Sequence, residues 1–253
     1  MQGRALQQKL RSGETVMSSS VRLADAGLCE ILGRAGFDFV VLDGEHGVAD
    51  GAALERLIVG CLAGNTAPIA RVLRPDDPAA VMRALDLGAH GILLPHCRTA
   101  DDARRLREAA HYPPAGARGF GPGRGADWGR METREYLESA NDSVVLIGIV
   151  EDPEGIEQID AIAAAGLDCL WFGSGDLAMA YGVPGERKHP RVLEAAMTLR
   201  DACHRHGLVA GYPVGDADEA RWAVAQGFRA IGYGGAEQYV MQTARAFLGP
   251  LGR

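Results

Sequence analysis

Apolar and polar residues alternate along the chain in two patterns, one typical of buried strands and one typical of amphipathic helices. Short apolar runs rich in Val, Ile and Leu predict strands near residues 14–18, 38–43, 68–73, 91–95, 144–150, 168–173, 208–213 and 229–234. Between them, apolar residues recur at helical spacing. This spacing predicts helices such as 52–63, 77–87, 100–110, 154–165, 190–206, 216–226 and 236–247.

The order of these elements predicts the fold. Strands that are apolar at nearly every position are buried on both faces, as in a parallel sheet covered by helices. Eight strand–helix units in sequence predict an α/β fold, a closed (β/α)8 TIM barrel that forms a single domain over residues 1–253. An open doubly wound sheet is the alternative, because short strands are easily miscounted.

One long irregular segment interrupts the alternation at residues 112–132, which read YPPAGARGFGPGRGADWGRME. Irregular segments of this length inside a compact domain are usually functional or disordered. We therefore expect a lid or substrate-covering loop on the catalytic side of the barrel.

Charge and composition narrow the class of protein. A net charge of −7 and a pI near 5.5 disfavour binding to the phosphates of nucleic acid. No run approaches the ~20 apolar residues of a membrane span, and we see no signal peptide. The five cysteines are odd in number and widely spaced, which fits buried thiols in a reducing compartment. We therefore expect a cytoplasmic protein with no nucleic-acid or membrane partner.

Polar residues collect where the predicted strands end, the place where barrels of this kind build their active sites. Glu151 and Asp176 follow the fifth and sixth predicted strands, which are neighbours, so their carboxylates can reach one ion. Oxygen ligands from two side chains suit Mg²⁺ or Mn²⁺, with the remaining positions left to water and substrate. Alternatively, the two residues are N-caps of the helices that follow.

Three further features of the strand ends suit a general base and an anionic substrate. His46 follows Asp43 at the spacing of a histidine oriented by a carboxylate, although a histidine beside a strand is often only structural. Arg71 on the third predicted strand can serve as an ion-pair partner or as an anchor for an oxyanion or carboxylate. The backbone N–H groups of a short glycine-rich turn at 173–175 lie before a predicted helix, a position that binds anions.

Several motifs are missing from the sequence. Its two lysines, Lys9 and Lys188, lie outside the predicted strands, which disfavours an aldolase that forms an imine with a barrel lysine. Neither a GxxxxGK[ST] phosphate loop nor a GxSxG nucleophile elbow occurs. A metal ion combined with a general base is the chemistry that remains.

Four segments together resemble one known family. They are AGFDFVVLDGEHG (35–47), PIARV with PDDPAAVMRALDLGAHGILLPHC (within 68–97), YPPAGARGFG (112–121) and FGSGDLAMAYG (172–182). Over residues 20–230 the chain resembles the HpcH/HpaI family of metal-dependent class II pyruvate aldolases, which includes 4-hydroxy-2-oxoheptanedioate and 2-keto-3-deoxy sugar acid aldolases. The resemblance implies cleavage or formation of the C3–C4 bond of a 4-hydroxy-2-oxo acid, with pyruvate or a close analogue and an aldehyde as the other partners.

The resemblance also implies roles for individual residues. His46 is then the catalytic base, held by Asp43, and Arg71 contacts the keto or enolate oxygen. Glu151 and Asp176 hold the divalent ion, with Mg²⁺ or Mn²⁺ favoured and Co²⁺ or Zn²⁺ as alternatives.

For the substrate, the resemblance places Asp86 near the aldehyde end. It places the carboxylate of pyruvate at backbone N–H groups around Ser174 and Gly175. It further implies a homo-oligomer, a hexamer or a trimer, built from domain-swapped dimers.

The chain departs from the family pattern at three places. Val16-Met17-Ser18-Ser19 stands where an aromatic residue often lines the pocket, and Gly234-Gly235-Ala236 replaces a Gly-Val-Asp. Ser174-Gly175 replaces a Pro-Ala before Asp176, which widens that corner.

These departures leave other activities open. One is a lyase that acts on an acyl-CoA ester of the citryl or malyl type. Another is an oxo-acid decarboxylase or Diels–Alder-like synthase that uses the same enolate. A non-catalytic metabolite-binding barrel is the alternative from a different class of protein.

Overall fold

The structure is a computed structural model that describes residues 2–74 and 77–251, and a closed barrel of eight parallel strands forms its centre. The strands pair in chain order, and β8 returns to pair with β1. They are β1 (Val16–Val21), β2 (Phe39–Asp43), β3 (Ala67–Arg71), β4 (Gly91–Leu94), β5 (Val145–Val150), β6 (Cys169–Phe172), β7 (Val209–Val214) and β8 (Ala230–Gly235). The predicted TIM barrel is confirmed, and the open doubly wound sheet is wrong.

Helices follow or precede the strands around the outside of this barrel. They are α1 (Gln2–Ser12), α2 (Ala26–Ala35), α3 (Gly51–Ala63), α4 (Pro78–Asp86), α5 (Ala100–Ala110), α6 (Thr133–Ser143), α7 (Pro153–Glu157), α8 (Ile159–Ala163), α9 (Ser174–Ala180), α10 (Pro190–His206), α11 (Ala217–Ala225) and α12 (Ala236–Leu248). The helix predicted at 154–165 is in fact two short helices, α7 and α8. No helix in the described ranges combines the length and the apolar character needed to cross a bilayer.

The first strand begins and ends later than the sequence pattern predicts, because its polar half belongs to the barrel. Three consecutive serines, Ser18 to Ser20, continue the strand beyond Met17. The hydroxyls of Ser18 and Ser20 donate to backbone carbonyls of β8 over 3.4 and 3.3 Å. These bonds satisfy hydroxyl groups that would otherwise be costly to bury. The barrel wall therefore carries polar side chains toward its open end.

Two apolar layers hold the barrel together. An inner layer fills the barrel with side chains such as Phe39, Ile69 and Ile147, and an outer layer packs the strands against the helices. Helix α1 closes the amino-terminal end, where Leu6 and Leu10 join the inner layer. All five cysteines are unpaired and buried, as the sequence predicts.

Residues 112–132 do not cover the open end of this chain, so the predicted lid is wrong. The segment follows α5 and precedes β5, and a connection from a helix to the next strand lies at the amino-terminal ends of the strands. There it packs on the end of α4, where a Cβ at Gly123 would lie 2.6 Å from the carbonyl oxygen of Asp86. Arg118 of the segment pairs with Asp86 over 2.7 Å.

The last helix, α12, extends away from the barrel. Every residue from 240 to 251 is exposed. Val240, Met241, Phe247 and Leu248 form an apolar stripe along this helix, since residues seven or eight apart share one helical face. We refer to these four residues as the α12 stripe.

Lowering the pH from 7 to 5 should destabilise the fold through His90, which precedes β4 and lies against Gly3 of α1. Burial lowers the pKa of His90 to about 4, against about 6.5 in an unfolded chain. Between these values the unfolded chain binds a proton that the folded chain does not, so stability falls as pH falls. We expect a loss of about 2 kcal/mol from this group.

Urea unfolding of wild type and His90→Asn at both pH values measures this effect. The asparagine variant should lose less stability than wild type on acidification. Equal losses in the two proteins would show that His90 does not contribute.

Candidate active site

A cavity of about 680 Å³ opens at the carboxyl ends of the strands. Its wall includes nearly all of the site residues predicted from sequence, which come from four different strand ends or the turns that follow them. Those that line it are Asp43, His46, Arg71, Glu151, Ser174, Gly175 and Asp176. Seven residues from distant parts of the sequence thus line one cavity at the strand ends.

Asp86 is the predicted site residue that the structure places elsewhere. It is the last residue of α4, and α4 runs antiparallel to the strands, so its end lies at the amino-terminal side of the barrel. Its carboxylate pairs with Arg118, whose side chain is 4% exposed. The expectation that Asp86 lies near the substrate is therefore wrong for a site formed within one chain.

Asp43 organises the turn after β2. One carboxylate oxygen accepts the backbone N–H groups of Glu45 and His46, over 3.1 and 2.9 Å. The other oxygen lies 3.3 Å from Nε of Arg22 and 3.6 Å from Nη1 of Arg71. Asp43 therefore holds the backbone of His46 and not its ring, which corrects the expected carboxylate–imidazole contact. An aspartate two or three residues before an N–H group forms this kind of turn readily.

Glu45 is a residue of the site that was not predicted from the sequence. Its carboxylate pairs with Arg71 and lies 3.6 Å from Nε2 of His46. Its other oxygen lies 3.6 Å from Nε2 of His96. Glu45 thus links two histidines and an arginine across the ends of β2, β3 and β4. The sequence signal that could have identified Glu45 is its position two residues after β2.

Glu151 is a deeply buried acid of the cavity, with 3% of the residue exposed. Burial raises its pKa to about 7, and the negative charge of Asp176 acts in the same direction. One carboxylate oxygen accepts the backbone N–H of His96 over 2.9 Å. His96 has φ 48°, in the left-handed region that non-glycine residues rarely adopt. The backbone before α5 is therefore shaped to hold Glu151.

Neither Glu151 nor Asp176 serves as a helix cap. The N-cap residues of α7 and α9 are Asp152 and Gly173, and neither cap makes a side-chain hydrogen bond to its helix. Asp152 instead pairs with Arg98 and with Nδ1 of His96, both over 2.9 Å. The structure thus contradicts the capping alternative and leaves the two carboxylates facing one cavity.

The donor set of this corner fits a divalent cation. Two acidic groups of like charge, one of them buried, are costly to bring together without a compensating positive charge. Among the described residues, no cluster of three or more His, Cys, Asp or Glu side chains has the geometry of a metal site. Two carboxylates with open positions for water and substrate suit Mg²⁺ or Mn²⁺ better than a closed zinc site.

The floor and one side of the cavity were not predicted. The indole of Trp171 lies in the barrel centre, edge-on to Phe39. Gly211 and Gly232 make room for it, since a Cβ on either residue would collide with the ring. Arg187 enters from the segment between α9 and α10, a place that the strand-end rule does not cover.

Gly173→Ala should disturb the site while Gly175→Ala leaves the fold intact. A Cβ at Gly173 would collide with Cβ of Glu151, whereas a Cβ at Gly175 would meet nothing within 4 Å. We expect a cost of about 1–3 kcal/mol for the first variant, as for other overpacked positions. Thermal unfolding of both variants tests this, and similar melting temperatures would contradict the close contact with Glu151.

Comparison with known proteins gives consistent matches. Residues 20–242 match the family model described as HpcH/HpaI aldolase/citrate lyase. The chain is 36% identical over 250 residues to a hydroxypyruvate/pyruvate aldolase of Pseudomonas aeruginosa, an alignment that covers 96% of this chain and 90% of that protein. It is 34% identical over 197 residues to a 5-keto-4-deoxy-D-glucarate aldolase of Shigella boydii, covering 76% and 75%. A crystal structure of an HpcH/HpaI aldolase/citrate lyase family protein from Burkholderia cenocepacia superposes with a TM-score of 0.92 at 30% identity, covering 99% of this chain and 100% of that one.

Proposed function

Because the chain belongs to the HpcH/HpaI aldolase/citrate lyase family, we propose that it cleaves or forms the C3–C4 bond of a 4-hydroxy-2-oxo acid. The products of cleavage are pyruvate, or a close analogue, and an aldehyde. The relatives named above are aldolases that act on keto acids, which supports this reaction class. The observation that carries the proposal is the arrangement of Glu151 and Asp176 opposite Arg71 and His46 in one cavity.

Glu151 and Asp176 are the residues that would hold a divalent cation, with Mg²⁺ or Mn²⁺ favoured by the all-oxygen donor set. When bound, such a cation acts as a Lewis acid on the 2-oxo group of the substrate. Family membership and the charge of this corner both support a divalent metal.

Four side chains would then carry out or support the reaction. His46, at the rim of the cavity, removes the proton of the C4 hydroxyl, and the C3–C4 bond breaks to leave an enolate of pyruvate. Arg71 faces the enolate oxygen and stabilises its negative charge. Asp43 and Glu45 hold Arg71 in place through their ion pairs.

At the other side of the cavity, the backbone N–H groups around Ser174 and Gly175 would receive the substrate carboxylate. Gly175 leaves open space beside them, since nothing lies within 4 Å of a Cβ built there.

Exchange of the C3 protons of pyruvate with deuterated water tests this proposal without the aldehyde. We expect exchange in protein loaded with Mg²⁺ or Mn²⁺ and loss of exchange after chelation. Absence of exchange under both conditions would contradict an aldolase that forms the pyruvate enolate.

An acyl-CoA lyase is the second candidate, because the matching family model also includes citrate lyases. It predicts turnover of citryl- or malyl-CoA without cleavage of 4-hydroxy-2-oxo acids. Assay of both substrate classes on the same preparation separates the two activities.

A homo-oligomer is the assembly we propose, and Phe247→Asp should weaken it. Phe247 is 72% exposed within the α12 stripe, and exposed apolar patches of this kind usually mark an interface. Sedimentation velocity should show a smaller species for this variant than for wild type. Ala246→Asp, at an exposed position about 100° or more around the helix from each residue of the stripe, is the matched control and should keep the wild-type size. An unchanged size of Phe247→Asp would contradict an interface at the stripe.

A further inference from the structure

Arg187 lines the cavity, and the proposed reaction gives it no role. It lies in the segment after α9, and its side chain turns back to the ends of β6 and β7. Its Nε donates to Oγ of Ser174 over 2.8 Å, and Nη2 donates to the carbonyl oxygen of Pro213 over 3.2 Å. Ser174 is itself 3% exposed, so this contact fixes the guanidinium at the cavity wall.

The charge of Arg187 is not compensated by the chain. The other two cavity arginines each contact carboxylates, Arg22 through Asp43 and Glu237 and Arg71 through Asp43 and Glu45. No ion pair of the described residues includes Arg187. A partly buried guanidinium without a counter-ion is unfavourable unless a ligand supplies the negative charge.

The remaining donors of Arg187 are free for such a ligand. A guanidinium has five N–H donors in a planar fork. Two of them serve Ser174 and Pro213, the other three have no acceptor among the described residues, and the arginine lines the cavity. Planar N–H pairs of this kind match the two oxygens of a carboxylate.

The position of Arg187 indicates which end of the substrate it meets. It adjoins β6 and β7, whereas His46 follows β2, on the opposite side of an eight-stranded ring. In the proposed reaction His46 acts at C4, so the aldehyde portion lies on the β2 side. Arg187 therefore lies at the end where the 2-oxo acid carries its carboxylate.

We propose that Arg187 binds the carboxylate of the 2-oxo acid donor, and that Ser174 orients the guanidinium through its hydroxyl. The proposal rests on the proposed function for the identity of the donor. It adds a charged anchor to the backbone N–H groups around Ser174, and it makes selection for an anionic donor a property of this corner.

Binding of pyruvate and of its neutral analogue pyruvamide to the Mg²⁺-loaded protein tests the proposal, with the fluorescence of Trp171 or calorimetry as readout. In Arg187→Gln, the dissociation constant of pyruvate should rise about 10- to 100-fold, the usual loss for a hydrogen bond to a charged group. That of pyruvamide should change by less than about twofold. Lys188→Gln removes the same charge one residue away, from a side chain that is 69% exposed, and should change neither constant.

Two further variants separate binding from a structural effect. Arg187→Lys keeps the charge without the fork and should recover part of the affinity for pyruvate. Ser174→Ala keeps the arginine but removes the hydroxyl that orients its guanidinium. KM for pyruvate in the C3-proton exchange should therefore rise, with little change in kcat. If Arg187→Gln does not fold, these two variants carry the test, and unchanged pyruvate affinity in both would overturn the proposal.

Other outcomes point elsewhere. Equal weakening of pyruvate and pyruvamide would overturn the proposal, because the arginine would then act on the shape of the cavity. In a second outcome, pyruvate binding is unchanged, and KM rises for glyoxylate but not for glycolaldehyde. Arg187 would then bind a carboxylate of the aldehyde substrate. This result would also overturn the assignment of Arg187 to the donor. The binding assay does not depend on turnover, so it stands even if exchange and cleavage assays contradict the proposed function.

Discussion

Replacing His46 with alanine should reduce the rate of aldol cleavage by about 10²- to 10⁴-fold, the usual contribution of a positioned general base. The variant should keep its fold, because the His46 side chain is 59% exposed and Asp43 holds the turn through the backbone N–H of residue 46. The loss should therefore appear in kcat with a 4-hydroxy-2-oxo acid and leave the melting temperature nearly unchanged.

A matched histidine variant shows whether the loss is specific. His206 lies at the end of α10, where it pairs with Asp160 at the surface, and His206→Ala should retain wild-type turnover. Bound metal should be equal in wild type and both variants. Near-wild-type turnover of His46→Ala with metal bound would remove His46 from the mechanism. Glu45 would then be the nearest carboxylate to examine, because it lies beside the same ring.

The position of the site could be predicted because one physical rule covers most of it. Parallel strands that are apolar throughout must be buried, so the first charged residues after them mark the rim of the barrel. Glu151 and Asp176 follow from this rule, and Arg71 is the last residue of its own strand. The shape of the rim does not follow from it, since a spacing of three residues does not decide whether Asp43 meets the ring or the backbone of His46.

The errors have a common origin in the direction of the chain. Asp86 was expected at the open end from the family resemblance and the segment 112–132 from its length, although Asp86 ends a helix and the segment follows one. A residue at the end of a helix in this fold lies at the amino-terminal side of the barrel, as the predicted helix 77–87 already implied for Asp86. Applying that rule to the sequence would have corrected both expectations.

Arg187 and Trp171 show what sequence could not supply. Arg187 reaches the cavity from a segment whose path depends on how α9 and α10 pack, and no periodic pattern records that path. Trp171 sits within a predicted strand, but the room for its ring comes from Gly211 of β7 and Gly232 of β8, which meet it only once the strands are assembled. Contacts between distant strands of this kind have no signature in a single sequence.

Removal of the divalent cation with a chelator should abolish both C3-proton exchange and aldol cleavage, and added Mg²⁺ or Mn²⁺ should restore them. Asp176→Asn should reproduce this loss by weakening the site. It removes one of two negative charges around the cation and leaves Glu151, which is held by the backbone N–H of His96. We expect turnover to fall by at least about 10²-fold, as for loss of the base.

The affinity for Mn²⁺, measured by calorimetry, should fall in the same variant, which ties the loss of turnover to the metal. Asp218→Asn makes the same chemical change in a side chain that is 89% exposed on α11, and it should alter neither turnover nor Mn²⁺ affinity. Activity that survives complete removal of metal would show instead that Glu151 and Asp176 are structural. Their closeness would then need another source of positive charge, and Arg71 is the cation already acting on Glu151.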